Sequence, residues 1–169
     1  LDKAAGKFAR RDGRLYHYLL PAPHVLLLPI GVVVLVTKYQ TGRIAAVGDI
    51  WSQKGLGMRG FFGRERLGNP TQDAEGQAAK LAAFIKEAAP NAGDVPIVPV
   101  IVFTAKNVDS LEVKESRLLA THFTKLSAAL RQATAGLKPL PRGDYDAIRA
   151  AFDARSAHLL EETVDADAE

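Results

Sequence analysis

The sequence predicts an α/β domain, in which helices flank a small mixed β-sheet. Residues 15–47 contain short apolar runs separated by turn residues, a pattern typical of an antiparallel meander. Residues 70–89 follow with the spacing of an amphipathic helix, and residues 97–103 are apolar enough for a buried strand. Because a helix that crosses between two strands of one sheet usually leaves them parallel, the last strand is expected to make the sheet mixed.

The first third of the chain is expected to contain one short helix and four strands. The helix covers residues 1–11, where apolar side chains recur every three or four positions. Pro29-Ile30-Gly31 joins two apolar runs, which indicates a tight hairpin between buried strands. The predicted strands are residues 15–20, 24–28, 32–37 and 43–47.

Both helices and strands are expected in the second half. Pro70 stands at a position where proline favours the first turn of a helix, and Pro90 ends that helix. The elements predicted after the strand at 97–103 are an edge strand at 118–121, a helix at 122–134, a helix around 145–152 and a frayed acidic end at 161–169. We divide the chain into a domain of residues 1–136 and a C-terminal linker, helix and tail of residues 137–169.

Residues 48–68 are rich in glycine, and basic and aromatic side chains are interleaved with the glycines. The pattern predicts an exposed irregular loop that serves as the binding surface, because glycines disfavour regular pairing. An alternative interpretation folds the aromatic side chains back into the core. The candidate binding residues are Trp51, Lys54, Arg59, Phe61, Phe62, Arg64 and Arg66.

Composition limits the chemistry that is available. The chain has no cysteine, so disulfides and thiolate metal sites are excluded. The longest apolar run, residues 25–36, is shorter than the ~20 residues of a membrane-spanning helix. Since the chain starts at Leu1, we expect a segment N-terminal to it in a longer gene product. The expected location is the cytoplasm, and the alternative is the cytoplasmic face of a membrane, reached through that segment.

Several short motifs occur in an order that points to one family. In sequence they are Pro23-His24, Pro29-x-Gly31, a strand ending at Lys38, Gly42, Trp51, and Asn69-Pro70 at a helix start. Over roughly residues 16–131 this order resembles the nuclease-related domain (NERD), a branch of the restriction-endonuclease-like Asp…Glu-x-Lys fold. It is similar to a divergent bacterial branch whose domain follows membrane-spanning helices. The resemblance implies metal-dependent phosphodiester hydrolysis.

The two carboxylates that the resemblance implies are missing. Pro23 stands where the motif has Asp, Val36 stands where it has Glu, and Lys38 remains, with His24, as a vestige of the site. Hard cations need oxygen ligands, which neither replacement supplies, so we expect no catalytic residue, no metal and no cofactor. Carboxylates that could have taken over the ligand role from neighbouring segments are Asp49, Glu65, Asp73 and Glu75.

The expected function is therefore that of a degenerate nuclease-like interaction domain in a larger or membrane-anchored assembly. Its expected partner is a protein. The alternative is a nucleic-acid-binding or residual nuclease domain, because phosphate contacts need only lysine and arginine, which residues 51–67 supply. The third hypothesis is a structural subunit that packs on lipid through the basic aromatic loop, because Trp, Phe and Arg side chains suit a membrane interface. Membrane association through the N-terminal segment would favour this hypothesis.

Overall fold

The computed structural model describes residues 5–6, 13–55 and 66–166, with side chains as far as residue 159. Its strands are β1 (Arg14–His17), β2 (His24–Leu28), β3 (Gly31–Lys38), β4 (Gly42–Val47), β5 (Ile50–Lys54), β6 (Ile97–Phe103), β7 (Val108–Lys114) and β8 (Leu119–His122). Its helices are α1 (Pro70–Ala88), α2 (Leu126–Ala133), which follows a 3-10 turn (Phe123–Lys125), and α3 (Arg142–Ala166). Of the predicted N-terminal helix, residues 5–6 are described and helical.

The predicted α/β class with parallel and antiparallel strands is confirmed. Strands β1, β2 and β3 form the predicted antiparallel meander, and β6 pairs with β3 in parallel from Val32 opposite Ile97 to Lys38 opposite Phe103. The helix between them, α1, makes the crossover. Strand β8 adds the other edge in parallel to β6, so the main sheet has the order β1-β2-β3-β6-β8.

The fourth strand belongs to a second sheet, of order β5-β4-β7, whereas we expected one continuous sheet. Gly42 begins β4 in the left-handed region, with φ of 83°, and a Cβ there would collide with the carbonyl oxygen of Lys54. This turn takes the chain out of the main sheet. Strand β7, which the sequence pattern did not reveal, completes the second sheet by pairing in parallel with β4.

The main sheet is buried on both faces. Val32, Val34 and Val36 of β3 point into one core, which α1, α3 and the second sheet close. Val33 and Leu35 point into the other core, which α2 closes. A strand buried on both faces is apolar throughout rather than alternating, which explains the unbroken run in the sequence.

Helix α1 begins where its sequence signal predicts. The side chain of Asn69 accepts hydrogen bonds from the N–H groups of Thr71 and Gln72, at 3.1 and 3.2 Å, and Pro70 occupies the first turn. Leu81 and Ile85 bury one face of the helix against the main sheet. The start of α1 is thereby held at the end of the sheet where β3 ends.

One strand and one helix end at residues other than those predicted. Strand β1 stops at His17, because Tyr18 adopts a left-handed φ of 58° and its N–H donates to the carbonyl of Pro23 at 2.6 Å. Helix α3 continues to Ala166, so residues 161–166 are helical rather than frayed. Its Phe152 is fully buried and lies edge-on to Tyr16, which places α3 in the first core.

Candidate functional site

The β2–β3 hairpin brings together the two positions that lack carboxylates. Val25 is paired with Val34, and continuing this register by two residues sets Pro23 level with Val36. Val36 is only 2 % exposed and belongs to the first core. Neither the Pro23 side chain nor the Val36 side chain offers an oxygen atom that could bind a metal ion.

Lys38, the last residue of β3, is held by a carboxylate from α1. Its Nζ lies 2.5 Å from Oδ2 of Asp73 in the first turn of that helix. The backbone of Lys38 is also fixed, since its carbonyl accepts a hydrogen bond from the N–H of Thr104 at 2.9 Å. The lysine side chain is 15 % exposed, so its charge is neutralised in a largely enclosed position.

A cleft of about 530 Å³ lies between the end of β3 and α1. Besides Val36, Lys38 and Asp73, its walls include Gln40 and Gln77, whose Oε1 atoms are buried without a hydrogen-bond partner among the described residues. Buried polar atoms are nearly always paired, so these two oxygens are acceptors that a further donor could satisfy.

Asp49, in the turn between β4 and β5, joins three separate segments. Its Oδ1 accepts hydrogen bonds from the hydroxyls of Thr71 and Ser116, at 3.2 and 3.1 Å, and from the N–H of Arg117 at 3.3 Å. Its Oδ2 lies 2.5 Å from Nε of Arg117. The hydrogen bond from the Arg117 side chain is the main reason that the pKa of Asp49 is lowered, and the same contact raises the pKa of Arg117.

The structure places the candidate replacement ligands against cations of the protein. Asp49 and Glu75 both contact Arg117, the latter at 3.0 Å from Nη1, and Asp73 contacts Lys38. Among the residues whose placement is described, no three His, Asp or Glu side chains come together as a metal site would require. Glu65 lies outside these residues. Sequence reasoning missed Arg117, which carries no motif.

His24 belongs to a cluster of rings beside the hairpin. It faces its strand partner His17, with 2.8 Å between the two Nδ1 atoms, and the ring of Tyr18 lies 4.9 Å from its own. His24 is 6 % exposed. The arrangement packs His24 between neighbouring side chains of the β1–β2 connection.

The first residues of the predicted binding loop belong to a strand instead. Trp51 and Lys54 lie in strand β5, because the glycine-free run of residues 50–54 pairs with β4. The ring of Trp51 lies 5.8 Å from that of Phe103, and its Nε1 donates to the hydroxyl of Thr71 at 2.9 Å. Trp51 thus packs on the core, as the alternative interpretation held. Lys54 and Arg66 are exposed, and Arg59, Phe61, Phe62 and Arg64 lie outside the described residues.

Three comparisons with known proteins bear on this site. Residues 12–104 match the sequence model of the family described as nuclease-related domain, NERD. No curated protein and no solved structure matches the chain. Within the described ranges, no helix is both long enough and apolar enough to pass through a bilayer.

Proposed function

The chain belongs to the nuclease-related domain family, and we propose that it is a non-catalytic member, an interaction domain of a larger or membrane-anchored assembly. The observation that carries this proposal is the pair of positions at the end of the β2–β3 hairpin. Pro23 and the buried Val36 replace the expected carboxylates, and the remaining lysine is ion-paired with Asp73.

Hydrolysis of a phosphodiester by this family's chemistry needs a divalent cation and an activated water. A magnesium ion takes oxygen ligands at near-octahedral positions, and hydrocarbon side chains supply none. Lys38 would also have to release Asp73 before it could orient a water molecule. Both requirements argue that the fold is kept here for binding.

A nuclease assay tests the proposed lack of catalytic activity. Purified protein is incubated with plasmid and with single-stranded DNA in Mg²⁺ or Mn²⁺, beside Lys38→Ala and Asp49→Ala variants. We expect no turnover above that of a mock preparation. Metal-dependent cleavage by the wild type that disappears in either variant would show that a working site had been rebuilt from other residues.

An exposed apolar pair of residues supports the part of the proposal that assigns the domain a protein partner. Val47 and Ile50 are cross-strand partners at the end of the β4–β5 hairpin and are 62 % and 81 % exposed. An exposed apolar pair is a candidate contact with a partner, and truncation of a few central residues usually accounts for most of an interface's binding energy. The full-length protein can be cross-linked in its own cells to trap a partner protein as a covalent adduct. The double variant Val47→Ser with Ile50→Ser should lose this adduct, whereas the matched surface variant Ser52→Ala should keep it. An unchanged adduct pattern in both variants would contradict this assignment of the surface.

A second candidate function, nucleic-acid binding, is favoured by the outer face of the second sheet. Arg43 and Lys54 are directly paired on β4 and β5, both are exposed, and Lys114 on β7 is exposed on the other side of β4. Phosphate contacts by such residues make affinity fall steeply with salt. Arg43→Gln with Lys54→Gln should therefore reduce DNA binding at low salt and flatten its salt dependence, and equal binding by wild type and variant would exclude this face.

A further inference from the structure

A second cleft, of about 600 Å³, lies at the opposite end of β3. Its walls come from the start of β1, the turn between β2 and β3, and the first turns of α3, and they include Arg14, Arg142 and Arg149. The Lys38 cleft lies at the far end of the same eight-residue strand, a separation of roughly 20–25 Å. The two clefts are therefore distinct sites.

The chain assembles this arginine cleft from distant segments. The N–H of Leu140 donates to the carbonyl of Pro29 at 2.8 Å, which ties the segment before α3 to the hairpin turn. Arg142 and Arg149 are seven residues apart and Tyr145 lies between them at helical spacing, so all three share one face of α3. Residues 137–166 lie outside the range that matches the family model, so the cleft is formed between matched residues and a helix outside the match.

The arginines outnumber the carboxylates that face them. Asp153 is shared by Arg14 and Arg149, at 3.4 and 3.6 Å, and also accepts a hydrogen bond from Tyr16 at 2.8 Å. Asp146 lies 3.8 Å from Arg142. Among the described residues, three guanidinium groups thus face two carboxylates, and a guanidinium has five N–H donors, more than these long contacts use. A concave wall with surplus positive charge concentrates anions.

One wall of the cleft is apolar and aromatic. Tyr145, Pro29 and Leu140 line it, beside the arginines. The volume falls in the range of pockets that hold small organic molecules. A ligand that fills this space needs an anionic group at one end and a hydrophobic body at the other.

We propose that the arginine cleft binds a phosphomonoester carried on a small apolar or aromatic body. The planar fork of arginine matches phosphate oxygens in pairs, and a dianionic phosphate offsets the surplus charge. The body of the ligand packs on Tyr145 and Leu140. Because this site is remote from Lys38, the proposal stands whether or not the domain is catalytic.

Titration of the full chain with phenyl phosphate, followed by amide shifts in ¹H–¹⁵N NMR at low salt, tests the proposal. We expect shifts around Arg142 and Arg149, and at least tenfold weaker binding in Arg142→Gln and in Arg149→Gln, because each replacement removes charge-assisted hydrogen bonds to the phosphate. Arg142 is exposed at the surface, so its replacement leaves folding intact. Arg149→Lys, which keeps the charge without the fork, should fall between the wild type and Arg149→Gln.

The matched control is Arg131→Gln, an exposed arginine on α2 outside this cleft. Equal affinity in wild type, Arg142→Gln and Arg131→Gln would overturn the proposal. Equal affinity for inorganic phosphate and phenyl phosphate would overturn the role of the apolar wall. Binding to phosphatidic acid vesicles that Arg142→Gln abolishes, without binding of phenyl phosphate, would also overturn it, because the arginines would then serve a lipid surface.

Discussion

Replacing Val36 by glutamate tests whether the former ligand position can still hold a carboxylate. Val36 is almost wholly buried in the first core, although it borders the Lys38 cleft. The neighbouring cation, Lys38, is already paired with Asp73. A new carboxylate at residue 36 would therefore enter an apolar environment whose nearest lysine is engaged elsewhere.

The expected loss of stability follows from the pKa of the new carboxyl group. Fully buried glutamates reach pKa values of roughly 8–9, against about 4.3 in water. At pH 7 such a group is protonated in the folded state at a cost of about 3–4 kcal/mol, and the larger side chain adds roughly 1–3 kcal/mol. For a domain of this size the combined loss corresponds to a melting temperature lower by roughly 10–20 °C.

The loss should depend on pH in a definite direction. A carboxyl group with a raised pKa in the folded state binds a proton more tightly there than in the unfolded state, so stability falls as pH rises above about 4.3. The difference in melting temperature between Val36→Glu and Val36→Gln should therefore be large at pH 7 and should shrink towards pH 4. Differential scanning calorimetry over this range measures it.

Val34→Glu is the matched control, because Val34 belongs to the same core and does not line the cleft. It should be at least as destabilising as Val36→Glu. A melting temperature of Val36→Glu within about 2 °C of the wild type at pH 7 would refute the reasoning. Residue 36 would then accept a carboxylate readily, and burial of its side chain would not explain the absence of a metal ligand there.

Three further predictions follow from contacts in the two sheets and α1. In the wild type, the ionised Asp49 stabilises the folded state above about pH 4, and this stabilisation is lost as the pH falls through the lowered pKa of Asp49. Asp49→Asn should lack this stabilisation, so the urea unfolding curves of the two proteins should differ at neutral pH and converge in acid. Gly42→Ala should destabilise the fold by more than 2 kcal/mol because it adds a backbone collision to a strained φ, whereas Gly136→Ala, with the same φ of 83° in open space, should cost about 1 kcal/mol. A double-mutant cycle of Lys38→Met and Asp73→Asn should give a coupling of roughly 0.2–1 kcal/mol, and additive losses would contradict the ion pair.

Sequence reasoning succeeded where a signal is local and strong. The hairpin around Pro29-Ile30-Gly31 and the capped start of α1 at Asn69 are each specified by a few adjacent residues. The crossover rule predicted that β6 would be parallel to a neighbouring strand, but it did not identify β3 as that neighbour. These elements are also the ones that place the end of β3 against α1, so the location of the vestigial site was predictable.

The remainder depends on contacts between residues that are distant in sequence. Strand β7, with residues 108–114, mixes charged and apolar side chains and becomes a strand only because β4 offers it an edge. Arg117 donates a hydrogen bond to Asp49, which lies 68 positions earlier in the sequence. The arginine cleft needs β1 and α3 side by side. No local pattern encodes these pairings, because tertiary packing decides them.

The charges around Lys38 suggest how a nuclease-related site can lose its carboxylates and stay folded. Two carboxylates beside a lysine offset its charge, and their removal would leave a poorly solvated charge on a largely enclosed side chain. Asp73 supplies the missing counter-charge from α1, and Val36 fills the space beside it with hydrocarbon. The charge of Lys38 is then offset without a metal, which supports the non-catalytic function proposed above.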